Sequence, residues 1–279
     1  MTKKPFFSII IPTLNEESFL PKLLLDLSRQ SYQFFEILVV DGQSADKTLE
    51  NALKFRNKLN LLTFNSLTPG VANQRNFGAK QAKGQYLIFF DADNRLPTNF
   101  LSELNKQIKK QPGYLYITKL ATKSHSETQI SLIELTNFII EILNTLGKPL
   151  SPGCNIIVEK GLFKRIGGFN PLLKLAEDHD IAKKARKHGI ILKILKTPIL
   201  YVSLRRLEKL GYLHVITQYA LSGLYILTET PITKELYHYP LGGEIYKNKS
   251  PKPKNILNKF KSIKKDLKKA LKTIEFPFQ

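Results

Sequence analysis

Short apolar runs alternate with helical patterns along the first hundred residues, and few folds accommodate that order. Residues 7–11, 36–40, 61–64 and 85–90 are mostly apolar and are bounded by turn residues. Runs of this kind, without polar alternation, belong to strands covered on both faces. Between them, residues 16–30, 45–58 and 71–83 carry helical spacing. Strand and helix in strict alternation dictate an α/β fold, a mostly parallel sheet with right-handed crossovers. In such sheets ligands bind at the carboxyl ends of the strands. The polar clusters that follow the apolar runs are therefore the first places to look for function.

The middle of the chain is less regular. Residues 114–118, 155–158 and 190–195 read as strands, and 131–146 and 177–188 as helices. A chain of 279 residues, 42% hydrophobic and 24% charged, has globular composition and buries a substantial core. One cysteine, Cys154, excludes an internal disulfide framework and a cysteine-rich metal cluster. It reads as a small buried filler, and its solitude fits a cytosolic or cytosol-facing protein. Lys3 and Lys4 precede an apolar run, but Asn15-Glu16-Glu17 cuts that run short. The start therefore reads as a strand of the fold and not as a signal peptide.

Charge is concentrated at the other end. The chain has 43 basic and 23 acidic residues, a net charge of +20. Residues 247–272 hold eleven lysines and one acid, Asp266, so +10 sits in this tail. Pro251 and Pro253 mark a linker. Beyond them Ile256, Phe260, Ile263, Leu267, Leu271 and Ile274 recur at steps of three and four, an apolar stripe on a lysine-rich helix. Such a helix suits an anionic membrane surface. Packing on its own domain and binding to nucleic acid are the alternatives. Residues 210–228 form a 19-residue stretch without a charge. It includes His214, Thr217, Gln218 and Ser222, which are expensive in lipid, so an interfacial or buried helix is expected over a spanning one.

Four polar motifs follow the first strands. They are Pro12-Thr13-Leu14-Asn15-Glu16, Asp41-Gly42-Gln43-Ser44-Ala45-Asp46-Lys47-Thr48, Arg75-Asn76-Phe77-Gly78 and Asp91-Ala92-Asp93. An Asp after a strand can simply cap the next helix, and Asp46 fits that role. Asp91 and Asp93 end a buried strand, where two carboxylates favour a counter-cation. Their hard oxygens suit Mg²⁺ or Mn²⁺ bridging to a diphosphate. Further on, Glu177-Asp178 opens a helix, where the dipole alone would stabilise acids. Gly167-Gly168-Phe169 has the composition of a tight turn.

Taken in order, these motifs resemble the family 2 glycosyltransferases, over roughly residues 7–206. The resemblance implies a GT-A fold, a Rossmann-like mostly parallel sheet flanked by helices, here with a basic helical C-terminal extension. It implies a catalytic domain at 1–206, with 1–100 as nucleotide-binding half and 101–206 as acceptor half. A helical segment at 207–246 and the tail at 247–279 follow. It further implies transfer of one sugar, of hexosyl type, from a nucleoside-diphosphate sugar to an acceptor hydroxyl with inversion. Pro12, Asn15 and Glu16 would line the nucleoside pocket, with Asp41 on the base, usually uracil, and Ser44 in the same motif. Arg75 would sit beside the nucleotide, Asp91 on the ribose side, and Asp93 on the divalent metal, with Asp91 near it. Asp178 would be the general base. The helix turns His179 to another face, where it reads as a bystander or as a support behind the site. The segment at 167–169 would lie near a sugar or be a plain turn.

Departures from the family pattern narrow this further. With no tryptophan the chain lacks the Q-x-x-R-W motif of processive synthases. Arg205 and Arg206 could instead contact phosphate groups. Gly42 stands where many relatives carry a second Asp. A nucleotidyltransferase would show a glycine-rich basic loop after the first strand, where this chain has Pro12-Thr13-Leu14-Asn15-Glu16. A nucleic-acid-binding protein is disfavoured, because much of the excess charge is confined to the tail and no recognition motif is present. A non-catalytic module that keeps the fold is disfavoured by the retained acids at 91, 93 and 178. The expected setting is the cytoplasmic face of a membrane, with a glycan or lipid-linked acceptor.

Overall fold

A computed structural model of the chain describes residues 4–173 and 175–212, together with Val215, Gln218 and Thr233. The basic tail at 247–279 and most of 210–228 lie outside the described residues. No helix among the described residues is long and apolar enough to cross a membrane.

The chain opens with β1 (Phe7–Thr13), α1 (Leu20–Ser28), β2 (Phe35–Asp41), α2 (Thr48–Leu53), β3 (Leu61–Asn65), α3 (Val71–Gln81) and β4 (Tyr86–Phe89). Then come α4 (Phe100–Lys110), β5 (Leu115–Ala121), α5 (Glu127–Thr145), a single 3-10 turn at Gly153–Asn155, β6 (Ile156–Glu159) and α6 (Lys160–Arg165). The described chain closes with α7 (Glu177–Lys187), β7 (Lys193–Tyr201) and α8 (Arg205–Leu210).

The seven strands form one sheet in the order β3-β2-β1-β4-β6-β5-β7. All neighbouring pairs are parallel except those of β6, which runs against both β4 and β5. The pleat sorts side chains into two cores. Phe7, Ile9, Ile11, Ile37, Val39, Ile88 and Phe90 face α1 and α4, where Leu20, Leu24, Phe100 and Leu104 meet them. Ile10, Leu38, Val40, Leu87 and Phe89 face α3, α6 and α7, where Ala79, Phe163 and Ile181 meet them. Every residue of β1 and β2 is buried, which is why their sequences show no polar alternation.

Several boundaries differ from the expectation. The helix expected from residue 16 begins at Leu20, because the backbone at 15–17 is tied to the loop after β2. The helix expected at 45–58 is only Thr48–Leu53. The strand expected at 190–195 lies at Lys193–Tyr201 and contains Pro198, which an edge strand tolerates. Helices α4 and α6 were not expected at all. At the end of β7 the backbone of Tyr201 pairs with that of Arg95, 2.9 and 3.1 Å in the two directions. This bridge returns the chain from the far sheet edge to the carboxyl end of β4.

Candidate active site

The loops after β1, β2 and β4 lie side by side at the carboxyl ends of these parallel strands. Asp41, the last residue of β2, accepts at Oδ1 from Thr13 Oγ1 at 2.9 Å and from Ser44 Oγ at 2.6 Å. Its Oδ2 accepts from the Ser44 amide at 2.7 Å. Ser44 Oγ in turn accepts from the Asn15 amide at 2.7 Å, and Asn15 Oδ1 accepts from the Ala45 amide at 2.8 Å. Thr13, Asn15, Asp41 and Ser44 therefore form one braced cradle, with Pro12 next to it on β1. Asp46 turns away from it. Its carboxylate accepts from the amides of Thr48 and Glu17 and from the Thr48 hydroxyl, at the start of α2. Lys47 takes the N-cap position of α2 without a side-chain bond, so Asp46 closes the turn just before the cap and does not fill the capping role open to it in the sequence.

Three residues other than glycine adopt the left-handed conformation among the described residues: Asn15 (φ 56°), Gln43 (φ 69°) and Ala176 (φ 63°). Asn15 and Gln43 lie in this cradle, and Ala176 immediately precedes Glu177. Such residues cost roughly 1–3 kcal/mol and persist where the surrounding structure holds them.

Arg75 lies on α3 with its side chain 4% exposed. Nη2 donates to Asp91 Oδ1 and Nη1 to Glu177 Oε1, both at 3.0 Å. Its guanidinium lies 5.3 Å from the centre of the Phe169 ring. The next residue, Asn76, holds the same turn, with Nδ2 donating to the Phe169 carbonyl at 2.8 Å and Oδ1 accepting from its amide at 2.9 Å. Gly167 and Gly168 have φ of 77° and 63°, and a Cβ on Gly168 would come within 2.7 Å of Asn76 Oδ1. The second motif position of α3 and the glycine turn are thus one physical unit, a pairing that sequence spacing does not reveal.

On the other side of Arg75 stands Asp178. Its Oδ2 accepts from the Gly153 amide at 2.7 Å and its Oδ1 from the His179 amide at 2.9 Å. Ser151 Oγ donates to the Asp178 carbonyl at 2.6 Å, and the Ser151 amide donates to His179 Nδ1 at 3.1 Å. His179 therefore secures the loop. A Cβ at Gly153 would come within 2.9 Å of both terminal nitrogens of Arg75 and 3.0 Å of Asp178 Oδ2, so only glycine fits. Burial, reinforced by the charge of Asp178, pushes Glu177 up to about 7 against the pull of Arg75. Burial also pushes the Cys154 thiol up, in keeping with a packed and unreactive side chain.

Arg205 is the residue whose position the sequence leaves least visible. It reaches from the start of α8 to Glu16, 189 residues away, with Nη2 donating to Oε1 at 2.6 Å and Nη1 to Oε2 at 2.8 Å. Its Nε lies 2.9 Å from Asp93 Oδ2, and the guanidinium sits 4.7 Å from the Phe19 ring centre. Ser203 also bonds Asp93. Burial raises both acids, Asp93 to about 6, while Arg205 pulls each back toward its charged form.

Among the described residues no three His, Cys, Asp or Glu side chains cluster as a ready cation cage. The Asp91–Asp93 pair offers the other arrangement, one or two carboxylates that share a Mg²⁺-like ion with substrate phosphates. Buried Asp93 and half-exposed Asp91 fit that donor set.

Residues 8–167, more than half of the chain, match the family model described as Glycosyl transferase family 2. A poly(ribitol-phosphate) β-N-acetylglucosaminyltransferase, TarS of Staphylococcus aureus, is 31% identical over 208 residues. That alignment covers 72% of this chain but only 36% of TarS. A PGL/p-HBAD biosynthesis glycosyltransferase of Mycobacterium bovis is 42% identical over 94 residues, 33% of this chain and 37% of the relative. The chain thus spans little more than a third of the length of either. The crystal structure of TarS residues 1–349 in complex with UDP-GlcNAc superposes with a TM-score of 0.59. It shares 29% identity and covers 70% of this chain and 58% of that one. The seven-stranded sheet with its flanking helices is the GT-A fold, and this chain belongs to glycosyltransferase family 2.

Proposed function

We propose that the protein transfers a single sugar from a UDP-linked donor to an acceptor hydroxyl, with inversion and with a divalent cation. The observation that carries this reading is the meeting of two acid sets on either side of buried Arg75. Asp91, which follows β4, and Glu177, the first residue of α7, each bond Arg75, with Asp93 and Asp178 close beside them along the chain. The likeness to a UDP-GlcNAc-bound TarS supports a uridine nucleotide.

In this reading residues 1–100 serve the donor. The cradle of Asn15, Asp41 and Ser44, with Pro12 beside it, takes the nucleoside, with the base on Asp41, and Asp91 takes the ribose side. Glu16 lines the same pocket, and Arg75 stands beneath it as a fixed positive charge. A divalent cation, Mg²⁺ or Mn²⁺, would be held by Asp93 with Asp91 beside it and would offset charge on the departing diphosphate. Residues 101–206 serve the acceptor. Asp178, aimed by the Gly153 and His179 amides, takes the proton of the acceptor hydroxyl. The oxygen then attacks the anomeric carbon from the face opposite the diphosphate. One C–O bond forms, the bond to the diphosphate breaks, and UDP leaves.

The acceptor in this reading is a cell-envelope glycan or a lipid-linked carrier at the cytoplasmic face of a membrane. The lysine-rich segment at 247–272 supports the membrane setting, and the poly(ribitol-phosphate) in the name of TarS supports a polymeric hydroxyl-bearing acceptor.

Thermal shift and calorimetry with UDP, GDP and Mn²⁺ test the donor site. A ligand at 100 times its Kd should add about 2.7 kcal/mol of stability. UDP with Mn²⁺ should stabilise the wild type, Asp93→Ala should lose the metal-dependent part, and Asp178→Asn should bind normally yet transfer about 10² to 10⁴-fold more slowly. No response to any nucleotide would overturn the reading.

A further inference from the structure

Arg205 spans two acids that the donor-site reading assigns to different jobs. Its fork closes on both oxygens of Glu16 and its Nε reaches Asp93 Oδ2. The two carboxylates are nearly closed to solvent, with side-chain exposures of 6% and 14%. Buried acids of this kind require a positive partner, and the guanidinium supplies it. Arg75 differs in kind. It is 4% exposed, is braced on Phe169 and belongs to the core of α3. Arg205 is 15% exposed and comes from the segment that the Tyr201–Arg95 bridge returns to the site.

From this geometry we infer that Arg205 is a built-in counter-ion, which holds the cation position at Asp93 until the nucleotide diphosphate arrives. The inference rests on the donor-site reading and goes beyond it, because it fixes the order of binding. A free divalent ion approaching Asp93 meets a guanidinium 2.9 Å from the same carboxylate oxygen. Two cations on one carboxylate repel each other, so the metal alone binds weakly. A diphosphate brings enough negative charge for both, accepting the ion on one side and the guanidinium on the other. Metal and nucleotide therefore enter as a unit, and Arg205 exchanges Asp93 for a phosphate oxygen.

The test is Mn²⁺ binding without nucleotide, followed by calorimetry or by the electron spin resonance signal of free Mn²⁺, in wild type and Arg205→Gln. Removing the competing charge should tighten Mn²⁺ alone by about tenfold, while UDP binding to the Mn²⁺-loaded protein weakens by a similar factor. If Arg205→Gln does not fold, Arg205→Lys serves instead. A single ammonium cannot span Glu16 and Asp93, so Mn²⁺ alone should again bind more tightly than to wild type. Equal Mn²⁺ affinity in wild type and variant, with UDP·Mn²⁺ still bound by wild type, overturns the counter-ion role alone. Failure of wild type to bind UDP·Mn²⁺ at all overturns the donor-site reading beneath it.

Discussion

At the scale of single residues, the site is a set of acids kept in place by burial and by two arginines. Glu177 is raised from an ordinary 4.5 to about 7, and Asp93 from 3.8 to about 6, burial being the first cause for both. Each value lies above that of the unfolded chain, so the folded protein holds protons that the unfolded chain has released. The corresponding stability is complete below the unfolded values and is lost as pH rises through about 6 to 7. Glu177→Gln keeps the shape without the charge. Its melting temperature should match wild type near about pH 5 and exceed it by a few degrees near about pH 8. A difference that is constant across that range in thermal melts would contradict the assignment. The residues that sequence reasoning named lie where the loops converge. What it could not give were their partners: Arg205 with Glu16, or Asn76 with Phe169, separated by 189 and 93 positions. No periodicity encodes a contact of that range.

At the scale of elements, legibility followed burial. Strands β1, β2 and β4 are buried on both faces, and their apolar runs announce them. Strand β7 lies at the sheet edge with a mixed pattern and an internal proline, so its sequence understates it. Helix α4 carried its apolar stripe, Phe100, Leu101, Leu104 and Ile108, in plain sight, between segments that drew attention for their acids. Helix α3 sits close on the sheet because Gly78 has no side chain. A Cβ there would lie 2.6 Å from Ile10 Cγ2 and 3.1 Å from Val40 Cγ2. Gly78→Val should push α3 off β1 and β2 and cost about 1–3 kcal/mol. Because Arg75 lies one turn earlier on the same helix, donor affinity should fall as well. Urea unfolding with unchanged midpoint would show that the sheet gives way more easily than this packing implies.

At the scale of the whole molecule, the charge is lopsided. Residues 247–272 carry +10 of the total +20. At about 1 kcal/mol per basic residue near an anionic surface, such a segment is enough to hold a protein on a bilayer. The 279-residue chain should sediment with phosphatidylserine-containing liposomes and be released by high salt. Truncation after Pro251 should abolish the partition, and undiminished partition would remove the membrane from the proposed function.

The reversed strand β6 has a consequence for how such a molecule can diversify. Strand β5 ends and β6 begins at the same end of the sheet's strands, as the antiparallel pairing of Ile156 with Phe89 and of Tyr116 with Ile157 requires. The excursion between them, residues 122–152, therefore departs and returns on one side. It is pinned near its middle by Asn137, which exchanges hydrogen bonds with the backbone of Leu120 at 3.0 and 2.8 Å. Residues can be gained or lost in its loops without shifting the register of any ladder in the sheet. The sheet and the loops after β1, β2 and β4 can keep their geometry while this one excursion is rebuilt, one loop length at a time.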